Sequence, residues 1–531
     1  MSTKENKTLH MSVSNCLLKL HHRAEAVERK KLIETFVDVG PLLHVLSTTN
    51  HQIIYGRRGT GKTHALLYLA DKVKNDGNIS IYIDLRTIGS TGGIYADPSI
   101  SLTERGTRLL ADTLSDLHSA LLEVALSDDE KYNLGVLGPL MDRFADAITE
   151  VQVRGEIENE RTHSTHFATN ESANIGLTAG ISNLSVEFGS SGKLSEDNNY
   201  EERSVVKGSA THRVHFGSVY QSLSEIVKVL NNNRIWLILD EWSTVPIDLQ
   251  PLLADLIRRS IFPVSGITVK IGAIEQRSSF QIVGDKGDYI GIELGADASA
   301  DLNLDDFMVF DNDENKATDF FENLLFRHYK AIAEEPHQHN KFNKPNELTK
   351  FVFSRKDVFR EFVRATEGVP RDAINIVGLA ARTAYESAIS MEHIRKASKS
   401  WYQRDKEQSV SANPRAKNVL IKIIDEVIGH RQARAFLFRS DQKHKIIDEL
   451  FDKRVLHILK RNISAHDQPG VRYDVFKIDY GCYVDLLTTN KSPQGLLPFE
   501  SEDEETKYID VPPDDYRAIR RAILKIEDIE A

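Results

Sequence analysis

Apolar positions recur along the chain with two periods, and the switches between them mark the elements. Four short segments read as strands, Gln52–Tyr55 and Ile235–Leu239 as short apolar runs buried in a core, and Ile79–Leu85 and Ile267–Ile274 as further strands. Between and after them the apolar residues fall at helical spacing. The opening segment to about Val39, with Leu32, Ile33, Phe36 and Val37 on one face, predicts a helix that stops at Gly40-Pro41. Further helices are predicted through Val73 and over Thr107–Ala125, Leu137–Ile148, Leu249–Arg259, Ala317–Ala333, Arg355–Thr366, Arg371–Ala388 and Met391–Arg404. The acidic Asp297–Asp313 region reads as a loop.

Strict alternation appears in two places. Ile175/Leu177/Ala179/Ile181 and Leu184/Val186/Phe188, flanked by Gly, Ser and Asn, predict a hairpin or small sheet inserted between about Thr87 and Leu230. Beyond a linker around Gln408–Arg415, helices over Lys417–Val427 and Lys443–Arg454 bracket the short apolar run Ala435–Phe438. Two alternating strands follow around Leu456–Ile463 and Val471–Leu486, joined through Asp467-Gln468-Pro469-Gly470. Helices followed by a hairpin suggest a winged helix. The acidic Glu500–Glu505 run reads as a solvated loop before a last short helix over Asp515–Lys525.

With 531 residues, 40% of them hydrophobic and 27% charged, the chain has the usage of an ordinary globular protein of several domains. No apolar run approaches the roughly 20 residues of a membrane span, and no apolar signal region opens the sequence, so a cytoplasmic protein without membrane contact is expected. Cys16 and Cys482 cannot make a disulfide framework or a zinc site by themselves. A net charge of −11 excludes a surface built wholly to coat nucleic acid, though not a local basic face. The pairs His21-His22 and His163/His166 lack Cys or Glu partners at metal spacing and read as surface residues.

Chemistry is concentrated in Gly56-Arg57-Arg58-Gly59-Thr60-Gly61-Lys62-Thr63, which follows a predicted strand and opens a predicted helix. That is the order a phosphate-binding loop requires: glycines let backbone N–H groups approach phosphate oxygens, and the helix presents its positive end to them. Within the octet and His64 behind it, Lys62 would meet the β- and γ-phosphates and the Thr63 hydroxyl would hold magnesium. Asp240, at the carboxyl end of the apolar strand, would be the second magnesium-linked group. Glu241 beside it would polarise the attacking water. No Asn-Lys-x-Asp and no Leu-Ser-Gly-Gly-Gln segment occurs, which disfavours a GTPase and an ABC ATPase.

The succession of Gly56–Thr63, Leu237–Glu241, the strand ending Ile274-Glu275-Gln276-Arg277, and Gly368-Val369-Pro370-Arg371 opening a helix resembles an AAA+ ATPase of the origin-recognition initiator and STAND branch. The resemblance implies an α/β P-loop core with a parallel sheet, a helical lid, an inserted α+β segment and a C-terminal winged helix. Laid on this sequence, these would be an N-terminal helical segment over 1–40, the core over 41–310 with its insertion at 87–230, the lid over 311–407, the winged helix over 415–490 and a tail over 491–531. It implies ATP and Mg²⁺ as cofactors, Glu275 or Gln276 as first sensor and Arg371 as second. It also implies a homo-oligomer in which Arg258, Arg259 or Arg277 reaches a neighbour's γ-phosphate. Two departures stand out: about 180 residues separate Lys62 from Asp240, and the first-sensor position carries unusual residue types. The expected function is an ATP-hydrolysing switch that regulates an assembly with a protein partner or effector, with antiviral defence as the preferred setting. An ATP-dependent DNA-binding initiator or partition factor, touching duplex through Lys443, Lys445, Lys453, Arg454, Lys460, Arg461 and Arg472, and a scaffold without turnover stay open as alternatives.

Overall fold

A computed structural model describes residues 3–20, 28–38, 40–89, 94–127, 132–148, 151–161, 202–212, 214–230, 233–284, 287–306, 313–333, 341–431, 433–442, 444–464, 470–487 and 522–530. Strands β1 (Gln52–Tyr55), β2 (Ile79–Asp84), β5 (Ile235–Asp240), β6 (Ile267–Ala273) and β9 (Ser299–Asn303) form one five-stranded sheet in the order β2-β5-β6-β1-β9. Every pairing in it is parallel. Parallel strands need helices over both faces, which is why β5 and β6 are buried along their whole length, Thr268 and Lys270 of β6 included, the Lys270 ammonium donating to the carbonyls of Thr48 at 2.8 Å and Asn50 at 3.0 Å. With every strand running the same way, the carboxyl ends of β1, β5 and β6 lie side by side at one edge, the usual place for a ligand in such a sheet.

One face of the sheet is covered by the helix Lys62–Asn75, whose Ala65, Leu66 and Leu69 pack with Leu42, Leu46, Trp236 and Ile238. The other is covered by the helices Leu102–Ser127, Leu134–Ile148 and Phe216–Val229, whose Leu109, Leu114, Phe144 and Leu223 join Ile81, Leu237 and Val269 in the largest core cluster. Three helices of the long stretch between Lys62 and Asp240 thus form a covering layer of the sheet itself. Among the described residues the stretch also holds a ribbon of β3 (Val151–Arg161) and β4 (Glu202–His212), paired antiparallel from Val151↔His212 to Arg161↔Glu202. The alternating runs at 175–181 and 184–188 lie outside the described residues, as do His21, His22, His163 and His166.

A separate core brings the helix Thr3–Leu18 together with helices Glu314–Ala333, Pro345–Val352, Lys356–Ala365, Pro370–Ala384 and Met391–Trp401. The last core is C-terminal: β10 (Ala435–Arg439), β11 (Leu456–Ser464) and β12 (Arg472–Ile478) form an antiparallel sheet in the order β10-β12-β11, with helices Pro414–Ile424 and Lys445–Asp452 against it. A small hairpin of β7 (Gln281–Val283) and β8 (Tyr289–Gly291) precedes β9. Among the described residues no helix is long and apolar enough to cross a membrane.

Several sequence expectations are corrected. The opening segment is two helices, Thr3–Leu18 and Arg29–Thr35, and Phe36 is already extended at φ −65°, ψ 129°. The acidic loop holds β9, whose weakly apolar Ser-Ala-Asp-Leu-Asn is recruited by pairing along β1 (Ile54↔Leu302). The run from Val471 is a strand only to Ile478. Tyr480–Leu487 is a helix, its start tied down where the Asp479 carboxylate accepts from the Cys482 N–H at 3.2 Å. A short helix is found at Ile526–Glu530; of the helix expected over Asp515–Lys525, 523–525 are not helical and 515–521 lie outside the described residues.

Candidate nucleotide site

The octet Gly56–Thr63 turns from the end of β1 into the helix Lys62–Asn75. Gly59 and Gly61 sit at φ +91° and +95°, where a side chain would be strained. A Cβ on Gly59 would also approach Arg371 Cβ to 2.8 Å, so the second glycine of the octet is the one the lid helix presses on. The space beside Gly61 is open, with nothing within 4 Å of a Cβ placed there. Thr60 closes the turn from within, its hydroxyl donating to the Arg57 carbonyl at 2.9 Å.

Lys62 is buried, its ammonium donating to the carbonyls of Gly56 at 2.6 Å and Arg57 at 3.1 Å. Burial pulls its pKa below the ordinary lysine value, while Asp240, Glu241 and Asp305 pull the other way. Across the crevice Asp240 is fully buried. One of its oxygens accepts from the Tyr82 hydroxyl at 2.9 Å and the other from the Glu241 N–H at 2.7 Å. Glu241 adopts the left-handed conformation at φ 57°, uncommon for a residue with a side chain, which re-aims the chain just past the strand end. Burial, followed by the Asp240 charge, raises the Glu241 pKa. Arg371 begins the lid helix Pro370–Ala384, and its N–H donates to the Gly59 carbonyl at 3.2 Å. Loop, Asp240, Glu241 and Arg371 are thus brought to one crevice.

The remaining expected residues are placed less simply. The Glu275 carboxylate engages Asn303 at 3.3 Å and Arg461 at 3.0 Å. The Gln276 side-chain oxygen is buried without a hydrogen-bond partner among the described residues. Arg277 pairs with Asp452 at 2.5 Å, and Arg258 and Arg259 both pair with Asp255, so all three arginines make ion pairs inside the chain. The His64 ring donates through Nε2 to the Leu32 carbonyl at 2.7 Å and meets Phe36 edge-on, so it clips the N-terminal segment to the octet's helix. Arg57 points away from the crevice altogether. Its side chain is 3% exposed and bonds Asp305 at 2.7 Å and the C-terminal unit. Arg58 is exposed. Thr63 is half-buried at the first turn of the helix. Among the basic residues considered for duplex, Arg454 is buried against Asp372 and Asp405, Lys453 pairs with Glu449 and Arg461 with Glu275. Lys443 lies outside the described residues, and Lys460 and Arg472 are exposed.

Sequence reasoning missed a small cleft of about 60 Å³ beside the octet, between the N-terminal segment and the lid. Phe36, Val37, Leu42, Thr60, Gly61 and Pro370 line it, an apolar slot ending at the loop's backbone. Phe36 and Val37 show only as a helical stripe in the sequence, and the slot appears once that stripe unwinds. The residue types fit a nucleotide with magnesium: a mainly apolar slot beside the loop, loop N–H groups, a buried ammonium, a hydroxyl in the first turn of the helix and a buried carboxylate at a strand end. Among the described residues no cluster of three or more His, Cys, Asp or Glu could hold a metal ion.

Residues 20–88, which carry β1, the octet and β2, match the ORC-CDC6-like family model. The chain is also similar to the Aeropyrum pernix ORC1 protein, solved in complex with DNA, at 14% identity over 89% of this chain and 94% of that one. The TM-score is 0.29, too loose a superposition to carry an argument. No curated protein matches the sequence. The sheet order, the octet and the family match over the octet's own segment make this chain an α/β P-loop protein similar to the origin-recognition-like AAA+ ATPases.

Proposed function

We propose that the chain binds ATP with magnesium in the crevice at the ends of β1 and β5 and hydrolyses it, the nucleotide state switching an assembly. The observation that carries this reading is the convergence there of Lys62, the buried Asp240, the left-handed Glu241 and the lid's Arg371. Thr63 and Asp240 would hold magnesium, which when bound neutralises phosphate charge. Lys62 would give up its hold on the Gly56 and Arg57 carbonyls to meet phosphate oxygens. Glu241, with its raised pKa, would orient and deprotonate water, and Arg371 would face the phosphates from the lid. Removing the Lys62 ammonium in Lys62→Ala should weaken ATP binding at least about tenfold, some 1.4 kcal/mol. Equilibrium titration with a fluorescent ATP analogue checks this, and an unchanged affinity in the folded variant removes the assignment. Assembly on ATP belongs to the same proposal and is read as solution mass with and without ATP and magnesium. With Arg258, Arg259 and Arg277 all engaged inside the chain, a trans-acting arginine among them would first have to leave Asp255 or Asp452.

A DNA-bound initiator is favoured over the antiviral setting by one observation, the ORC-CDC6-like match. The C-terminal unit, read as a winged helix, leaves Lys460 and Arg472 exposed on its β11–β12 hairpin, whereas Arg454 is withdrawn. Duplex affinity should then fall with salt, and replacing Lys460 and Arg472 together should flatten the slope by about 0.9 per lost phosphate contact. Absence of duplex binding at low salt would leave the unit as a protein-contact module.

A further inference from the structure

The C-terminal sheet does not stand off from the nucleotide site. Arg57, second residue of the octet, reaches 394 to 400 positions along the chain: Nη1 donates to the carbonyls of Phe451 at 3.1 Å and Leu456 at 2.9 Å, and Nη2 meets His457 Nδ1 at 3.2 Å. Its guanidinium lies 4.1 Å over the Phe451 ring. A guanidinium can only donate, so Nδ1 is the acceptor and the proton of a neutral His457 sits on Nε2, which donates to Asp479 at 3.1 Å. Asp479 also takes Lys406 at 2.5 Å, and the same ammonium reaches Asp372 at 2.8 Å. Asp372 is the neighbour of Arg371, whose N–H closes the path onto the Gly59 carbonyl. Arg454 runs parallel to it, from Asp372 at 3.3 Å to the Arg58 carbonyl at 3.5 Å.

The result is a closed polar circuit from the phosphate loop through β11 and the lid helix back to the loop, and every side chain in it is buried. Charged groups so far from water are costly unless every partner is in place, so the circuit is held as a unit or lost as a unit. It fixes the loop at three consecutive points, Arg57, Arg58 and Gly59, while leaving Gly61 and the helix start open.

We propose that Arg57 and His457 are positioning residues for the nucleotide: the C-terminal sheet, by gripping Arg57, holds the phosphate loop in its binding shape, and the site is complete only when that sheet is docked. This rests on the nucleotide reading above. Affinity and docking then support one another, since a coupling free energy acts equally in both directions.

Hydrogen exchange on the full chain tests it. Saturating ATP and magnesium should slow exchange of amides in 445–464, which the cleft and the crevice do not include. His457→Ala should abolish that distant protection and raise the ATP dissociation constant at least about fivefold, within the usual range of such couplings. His457→Gln, which can still accept from Arg57 and donate to Asp479, should stay within about twofold of the parent, a rescue that loss of packing alone would not give. A wild type that binds ATP with unchanged exchange over 445–464 overturns the proposal alone, whether or not the alanine variant folds. A wild type that binds no ATP overturns the nucleotide reading and this one with it.

Discussion

Glu241 and Asp240 are neighbours with opposite duties, and their surroundings separate them. Asp240 is satisfied by Tyr82 and a backbone N–H, whereas Glu241 is lifted in pKa by burial and by the Asp240 charge. A carboxylate that binds protons more readily than usual suits a base and does not suit a metal ligand. Glu241→Gln should therefore bind ATP as the parent does and lose turnover by two orders of magnitude or more, read as phosphate release under single-turnover conditions. Parent-like rates would reassign Glu241 to shaping the turn. At this scale most of the site was legible in the sequence, because the octet and the Asp-Glu pair are contiguous and each residue type has a local task. Arg57 was not. Its place in the octet suggests a phosphate ligand, and only a partner 400 positions away turns it outward.

The strands were legible for a related reason. The apolar run Ile235–Leu239 is too short for a helix and reads as a strand buried on both faces, and β5 is that, while β6 is buried as fully although Thr268 and Lys270 interrupt its apolar residues. β9 carried no such signal, because an edge strand with one neighbour needs few apolar residues, and its pairing with β1 is set by tertiary context. Strand spacing itself supplies a test. A methyl group on Gly272, in β6, would come within 2.6 Å of an Asp240 oxygen and 2.8 Å of Leu66 Cδ1, so β5, β6 and the octet's helix meet at that missing side chain. Gly272→Ala should cost about 1–3 kcal/mol in a urea unfolding series. It should also weaken magnesium-dependent ATP binding by displacing the carboxylate. A fully stable variant with parent affinity would show that Asp240 has room to move.

For the whole molecule, the packing of one core on another was the least legible property, since hydrophobic period reports what is buried and not against which partner. Its clearest signature is acid sensitivity. His457 is buried, and burial first, then Arg57, Lys406 and Lys477, hold its pKa well below 6.5, with Glu367 opposing them. The unfolded chain takes up this proton near pH 6.5 and the folded one only at lower pH, so His457 destabilises the fold progressively as pH falls below about 6.5 and has no such effect above it. The slope is at most about 1.4 kcal/mol per pH unit for one histidine. Urea midpoints at pH 7.5 and 5.5 should differ more for the parent than for His457→Gln, and equal differences would mean that the ring is hydrated in solution.

The distance between Arg57 and its anchors also bears on how the chain is made. Synthesis runs from the amino end, so the phosphate loop leaves the ribosome long before residues 451–457, and β1 must wait for both of its neighbours, β6 and β9, to arrive. Through that interval the nascent loop has neither its strand partners nor the grip on Arg57. If the grip on Arg57 sets the loop, a product truncated before residue 451 carries the whole octet and yet should hold nucleotide less tightly than the full chain.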